Sequence, residues 1–287
     1  MTGGASIAGA SAADPVEHRS IAYALVVREV SLFQIGIDGA PPIAFTSAPF
    51  RREQRSNTMG TTITCTRPDG GTFDAYLALG PAGAPGVVVI QEWWGLNDQI
   101  RGVAERMALA GFTALIPDLY RGKSAVEAEE AHHLMEGLDF GQAAQQDIRG
   151  AVQHLKQTCP KVGVTGFCMG GALTVLASTM VPEADAGVVW YGYPPIDFVD
   201  ASKIRMPVMA HWATQDAAFA MSGVDALEAK FQAAGVRYTG HRYLAHHAFA
   251  NETAQGTNRL GMTQYDAAWA QIAWDRTFAF FGRHLQG

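Results

Sequence analysis

Cysteine is scarce in this chain. Its 287 residues hold three thiols, at Cys65, Cys159 and Cys168, an odd number at unrelated spacings. No disulfide framework and no zinc-ligand pattern can be written from them. A reducing, cytoplasmic setting without a metal is the expectation. Positive charge is short as well: 21 Lys and Arg stand against 27 Asp and Glu, a formal net charge of −6. No basic stripe is available to neutralise phosphates, which argues against nucleic acid as a partner. No apolar run approaches the roughly 20 residues that cross a bilayer, so no membrane partner is expected. There is no internal repeat, and no low-complexity tract beyond the Gly-, Ala- and Ser-rich first dozen residues.

What is present reads as globular: 48% of residues are hydrophobic and 17% charged, on a length that can bury a sizeable core. Residues 1–58 differ from the rest. Their apolar run Ile21 to Val27 is broken by Arg28-Glu29 and preceded by Asp14 and Glu17, where a signal peptide carries net positive charge. A poorly ordered extension is expected there, outside a working protein that begins at Met59. Residues 59–287 suit one α/β domain.

Within that domain, Thr61 to Thr64 and Phe73 to Leu79 read as strands joined by Pro68-Asp69-Gly70-Gly71. Alternation predicts one buried face, formed by Phe73, Ala75, Leu77 and Leu79. Gly86 to Ile90 is continuously apolar, as in a central strand buried on both sides. Asn97 can cap a helix whose stripe is Ile100, Val103, Ala104, Met107 and Ala108. Phe112 to Ile116 is a further strand, ending in Pro117-Asp118-Leu119-Tyr120-Arg121-Gly122. Ser124-Ala125-Val126-Glu127 spells a capping box. Ala144, Ile148, Ala151, Val152 and Leu155 mark the next helix. Further strands are Ala186 to Tyr191, Pro207 to His211 and Tyr238 to Tyr243, with a helix carrying Val224, Leu227 and Phe231 before the last of them. Trp269, Ile272, Ala273 and Phe280 form the packing face expected of a final helix, with Trp274, Phe278 and Phe281 beside it. Strands alternating with helices at these lengths predict an α/β fold with a mostly parallel sheet covered on both faces.

The chain is organised around Val162-Gly163-Val164-Thr165-Gly166-Phe167-Cys168-Met169-Gly170-Gly171, a β-branched run closing in Gly-x-Cys-x-Gly and followed by small helix-forming residues. That is the strand, sharp turn and helix of a nucleophile elbow, with cysteine where such hydrolases more often carry serine. Gly166 and Gly170 leave room at a positive-φ corner, and the helix N-terminus favours thiolate over thiol. The other reading of Cys168 is a buried structural thiol. A nucleophile needs a base, and the base an orienting acid. Following the hydrolase order of nucleophile, acid and histidine, Asp216 stands in the loop after a strand, where it could equally cap the next helix. His246 or His247 follows the last strand. Glu92 lies just past a central apolar strand, at the sheet edge where such folds bind ligands. It could manage the sulfur's proton or simply sit in solvent. The N–H groups of Met169 and Trp93 are candidate oxyanion donors.

Five stretches occur in an order that resembles the dienelactone hydrolase family, the carboxymethylenebutenolidases, from about Thr61 onward. They are Gln91-Glu92-Trp93-Trp94-Gly95-Leu96-Asn97, Pro117-Asp118-Leu119-Tyr120-Arg121-Gly122, Gly166-Phe167-Cys168-Met169-Gly170-Gly171, Gln215-Asp216 and His247-Ala248-Phe249-Ala250-Asn251. The resemblance implies an α/β-hydrolase fold and a triad of Cys168, Asp216 and His247. His247 is preferred over His246 because a small residue and then phenylalanine follow it. The resemblance also implies that Glu92 interacts with the cysteine and helps switch it to thiolate. Two positions depart from the family. Asn251 stands four residues after the histidine, where well-known members carry a substrate-binding arginine, and Arg121 is offset by one from a second such arginine. The departures bear on the substrate, not on the hydrolytic machinery. The expectation is a cofactor-free hydrolase of a small lactone or carboxylic ester, with substrate contacts from Trp93, Met169, Arg121 and Asn251. A monomer is the default. A non-catalytic ligand-binding protein and a thiol redox sensor are the alternatives.

Overall fold

The computed structural model describes residues 60–257 and 259–286. The expectations for residues 1–58 and for a start at Met59 lie outside the described residues. Eight strands form one sheet: β1 (Thr61–Thr66), β2 (Thr72–Ala78), β3 (Gly86–Ile90), β4 (Thr113–Pro117), β5 (Val162–Phe167), β6 (Ala186–Trp190), β7 (Val208–Ala213) and β8 (Tyr238–Tyr243). Their spatial order is β1-β2-β4-β3-β5-β6-β7-β8. β2 pairs antiparallel with β1 and with β4, and every other neighbouring pair is parallel.

Parallel neighbours need crossover connections, and these place helices on both faces. The helices are α1 (Asp98–Leu109), α2 (Ala128–Glu136), α3 (Phe140–Gln142), α4 (Arg149–Lys156), α5 (Met169–Met180), α6 (Met221–Ala233) and α7 (Ala267–Leu285). α3 continues into α4 through a π-helical stretch, Ala143–Ile148. The strand side chains divide the core by alternation. Val87, Val89, Phe167 and Trp190 join α1 and α7 on one face. Val88, Ile90, Val164 and Val189 join α4, α5 and α6 on the other. β3 is buried along its whole length, as its apolar run predicts. Since β3 through β8 run in one direction, their C-terminal ends open along one edge of the sheet. The loops carrying Glu92, Arg121, Cys168, Asp216 and His247 all leave from that edge.

Three local expectations are corrected. β2 is not buried on one face only: Tyr76 and Ala78 are buried with Phe73 and Ala75, while Leu79 is 69% exposed. β2 is an interior strand, and Tyr76 reaches α1, where its hydroxyl donates to Glu105 at 3.0 Å. Ser124 does not cap a helix. It bridges Gly95, Ala125 donates to the Trp94 carbonyl, and α2 opens after Glu127 without a side-chain cap. On α7 the packing face centres on Ala270, Ala273, Trp274, Thr277 and Phe281, leaving Ile272 exposed.

Candidate active site

Cys168 sits between β5 and α5 at φ 55°, ψ −116°. An L side chain is strained there by about 1–3 kcal/mol, so the surroundings must hold the corner. The Cys168 N–H donates to the Trp190 carbonyl at 3.0 Å, and its own carbonyl accepts from Gly171 at 2.9 Å and Ala172 at 3.2 Å. The flanking glycines are required by close backbone approach. A Cβ on Gly166 would meet the Gly170 carbonyl oxygen at 2.1 Å, and one on Gly170 would meet that of Ile90 at 2.5 Å. The sulfur is only half-buried, unlike the Cys65 and Cys159 thiols in the core. As the first residue of α5, Met169 has no intrahelical acceptor for its N–H. The Trp93 N–H makes no backbone hydrogen bond among the described residues.

The loops after β7 and β8 bring Asp216 and His247 together. His247 Nδ1 lies 2.8 Å from Asp216 Oδ2. The other carboxylate oxygen, Oδ1, accepts the N–H groups of Ala218 at 2.8 Å and Phe219 at 2.9 Å. Asp216 thus closes its own turn rather than capping α6, which opens after Ala220 with no side-chain cap. Burial by itself would lower the His247 pKa. The Cys168 sulfur and the hydrogen-bonded Asp216 carboxylate outweigh it and hold the imidazole well above its ordinary value. Tyr191 lies edge-on to the ring at 5.2 Å and Phe219 stacks on it at 5.5 Å. The neighbouring His246 turns away, 3.3 Å from the Gln215 carbonyl.

Glu92 is buried. Its Oε1 accepts from the Tyr191 hydroxyl at 3.2 Å and its Oε2 from the Asn251 amide at 2.8 Å. Both oxygens are therefore bound by neighbours other than the sulfur. Burial raises the Glu92 pKa, and the charge of His247 and the two hydrogen bonds offset part of the rise. Burial also raises the Tyr191 pKa well above that of a free phenol, and the negative charges of Glu92 and Cys168 add to it. That hydroxyl stays a donor. Asn251 is buried, and its carbonyl oxygen accepts from the N–H and hydroxyl of Thr253. Its amide is thus spent at both ends.

Arg121 (φ 56°) makes two bonds to the buried Asp147, at 2.8 and 3.0 Å, and a third to the Asp118 carbonyl. Asp147 lies in the π-helical stretch. The guanidinium ties this loop to the helix beneath it. Trp93 and Trp94 are half-buried and edge-on to each other at 5.0 Å. Tyr120, one residue before Arg121, donates to the Met169 sulfur at 3.3 Å. Sequence reading passed over Tyr120, Tyr191 and Phe219. Tyr191 follows the end of β6 and Tyr120 the end of β4, so the sheet-edge rule that picked out Glu92 could have found both. Among the described residues, no three His, Cys, Asp or Glu side chains cluster so as to hold a metal ion, and no helix is long and apolar enough to cross a membrane.

The model of the dienelactone hydrolase family matches residues 73–285. Protein usf of Aquifex pyrophilus is 36% identical over 221 residues, covering 73% of this chain and 93% of its own length. An Aquifex aeolicus (strain VF5) protein provisionally named a carboxymethylenebutenolidase is 30% identical over 222 residues, covering 74% and 93%. Among solved structures, a dienelactone hydrolase-like promiscuous phosphotriesterase from metagenomic libraries superposes with a TM-score of 0.70 at 24% identity, covering 79% of this chain and 99% of that one. An esterase of Pyrococcus furiosus does so at 0.59 and 15%, covering 79% and 93%. The fold is that of the α/β-hydrolases.

Proposed function

The chain belongs to the dienelactone hydrolase family, a family of hydrolases, and from that premise we propose that it cleaves small uncharged carboxylic esters or lactones through Cys168, His247 and Asp216. The observation that supports this reading best is the half-buried elbow cysteine beside an imidazole that it acts on electrostatically and whose Nδ1 is 2.8 Å from a carboxylate. The Cys168 sulfur attacks the carbonyl carbon, and the oxygen takes up negative charge toward the N–H groups of Met169 and Trp93. Collapse breaks the ester C–O bond. The leaving oxygen takes the proton of the His247 imidazolium, leaving a thioester. His247 then accepts a proton from water as that water attacks the thioester, and a second collapse releases the acid and restores thiolate and imidazolium. Asp216 orients the ring throughout. Glu92, a buried carboxyl whose pKa burial raises, relays the proton of a Cys168 thiol to His247 and so forms the thiolate and imidazolium from which the attack starts.

The uncharged substrate follows from the partners of Arg121 and Asn251. The Arg121 guanidinium is paired with Asp147, and Asn251, which carries no charge, is bonded to Glu92 and Thr253, so neither offers a free charge to a substrate carboxylate. The substrate contacts proposed for Trp93 and Met169 are apolar instead. A redox role would need a resolving thiol. Cys65 is in the core with its pKa pushed up to about 11, chiefly by burial, and Cys159 is buried beyond the end of α4. The three free thiols accord with a cytoplasmic location.

A neutral aryl ester, an uncharged lactone and dienelactone, each offered to the purified protein and to Cys168→Ala, test the proposal. Turnover of the uncharged substrates, lost in the variant, is the expected result. Wild-type rates in Cys168→Ala would overturn the mechanism, and preferential turnover of dienelactone would overturn the substrate class.

A further inference from the structure

At the edge of the sheet opposite the triad loops lies a groove of about 400 Å³, bounded by the starts of β7 and β8 and the C-terminal half of α7. Strands of this length separate the two edges by about 20 Å. The lining combines apolar Met209 and Phe280 with Arg237, Arg276, Arg283 and His284. Several cations elsewhere are neutralised: Arg149 pairs with Glu183, Lys156 with Asp185, and Arg242, on the same strand β8, with Asp225 and Glu228. The groove gathers three arginines in one lining. Arg237 donates to the Arg205 carbonyl at 3.1 Å and Arg276 to the Tyr243 hydroxyl at 3.0 Å. Both acceptors are uncharged, and Arg283 makes no ion pair among the described residues.

Two histidines register that field, His284 in the lining and His241 outside it. His284 is held below its ordinary pKa first by burial and then by Arg237, Arg283 and Lys161. His241 is lowered by burial and by Arg276. The C-terminus of α7 supplies about half a negative charge, less than one of these cations carries. In a chain of net charge −6, a pocket of unneutralised guanidinium groups favours the approach of an anion. Planar forks of this kind match phosphate and carboxylate oxygens two at a time.

We propose that this groove binds a small polyanion, a molecule with two or more phosphate or carboxylate groups and an apolar portion that lies on Met209 and Phe280. The site is distinct from the triad, since its residues come from the opposite ends of β7 and β8.

Pyrophosphate and citrate, titrated calorimetrically into the full chain at low salt, are the probes, and they separate phosphate from carboxylate as the recognised group. Binding of either one is expected, weakening as salt screens it. The Arg237→Gln/Arg283→Gln double variant should bind at least about tenfold more weakly, with hydrolysis of a neutral aryl ester unchanged. Arg205→Gln, which removes a cation outside the groove, should bind as the wild type does. Thermal melting supplies a second readout: the probe raises the Tm of the wild type and not of the double variant, whose own Tm without probe shows that it folds. Failure of both probes to bind, equal binding by wild type and double variant, or equal loss in Arg205→Gln would overturn the proposal.

Discussion

The Asn251 amide donates to Glu92 Oε2 at 2.8 Å in a place where both side chains are buried. With the Tyr191 hydroxyl on Oε1, the carboxylate is satisfied without the sulfur. Burial raises the Glu92 pKa, and Asn251 is one of the groups that hold the rise back. Asn251→Ala removes that brake, so the Glu92 pKa climbs further and less of the group is ionised at a given pH. The acid limb of kcat/KM for a neutral ester should then lie at higher pH. At any fixed pH on that limb, the rate should be lower by about tenfold for each pH unit the limb has moved. Loss of one partner of a buried carboxylate should cost about 1–3 kcal/mol of stability. The pH–rate profile is the measurement. An acid limb that stays in place would show that Asn251 does not act through Glu92.

The corner at Cys168 trades stability for exposure of the sulfur. At φ 55° glycine is at ease and cysteine is not, so Cys168→Gly should abolish ester hydrolysis while raising stability by about 1 kcal/mol. Cys168→Ala keeps the Cβ and the strain, and should be equally inactive with no such gain. Urea denaturation of the three proteins side by side decides it. Equal midpoints for Cys168→Gly and Cys168→Ala would mean that the corner stores no strain.

Most of the scaffold was legible because local pattern and tertiary place agree. Val87 to Ile90 are apolar without interruption, and the strand they form is buried on both faces. Gly-x-Cys-x-Gly was legible for a related reason: the backbone approaches at Gly166 and Gly170 admit only glycine. Misreadings fell where a partner distant in sequence decides the matter. The alternation in β2 predicts a solvent face, but α1 covers Tyr76. Ser124-x-x-Glu127 spells a cap, but Ser124 is drawn into a bridge with Gly95. Tyr191 carries no motif of its own, and its role follows only from Glu92, 99 positions away in the chain. Asn251 and Arg121 were assigned to substrate by resemblance. Their contacts within the protein, with Glu92 and Asp147, depend on packing that spacing does not encode.

Arg121 offers a separate test, because a substrate anchor and a structural tie predict opposite results. The guanidinium is bidentate to Asp147, a buried carboxylate whose pKa is raised by burial and held back by Arg121. The second cation, Arg67, stands 3.8 Å away. Arg121→Gln therefore leaves Asp147 with weaker compensation. Removing one partner of a fully buried pair costs about 3–5 kcal/mol. With the Arg121 side chain 43% exposed, solvent screening reduces the expected loss to about 1–2 kcal/mol. KM for charged and uncharged esters should change by the same small factor. A rise in KM confined to carboxylate-bearing substrates, with stability unchanged, would return Arg121 to the substrate site.

His247 ties stability to pH with a definite sign. The folded protein holds its pKa well above the ordinary value, because the Cys168 sulfur and the Asp216 carboxylate outweigh burial. The stability that protonation contributes is thus fully present below the unfolded-state pKa of about 6.5, and it is lost as pH rises through the higher folded value. Asp216→Asn removes one of the two groups that raise it. The stability difference between wild type and Asp216→Asn should accordingly be greater near the unfolded-state imidazole pKa of about 6.5 than on the alkaline side, where it should shrink. Ester hydrolysis should fall by several orders of magnitude in the variant, as expected when an imidazole loses the group that fixes its tautomer. Chemical denaturation in steps from acid to alkaline pH measures the first effect. A difference that grew with pH would mean that the imidazole is neutral in the folded protein, and the thiolate–imidazolium pair would have to be abandoned with it.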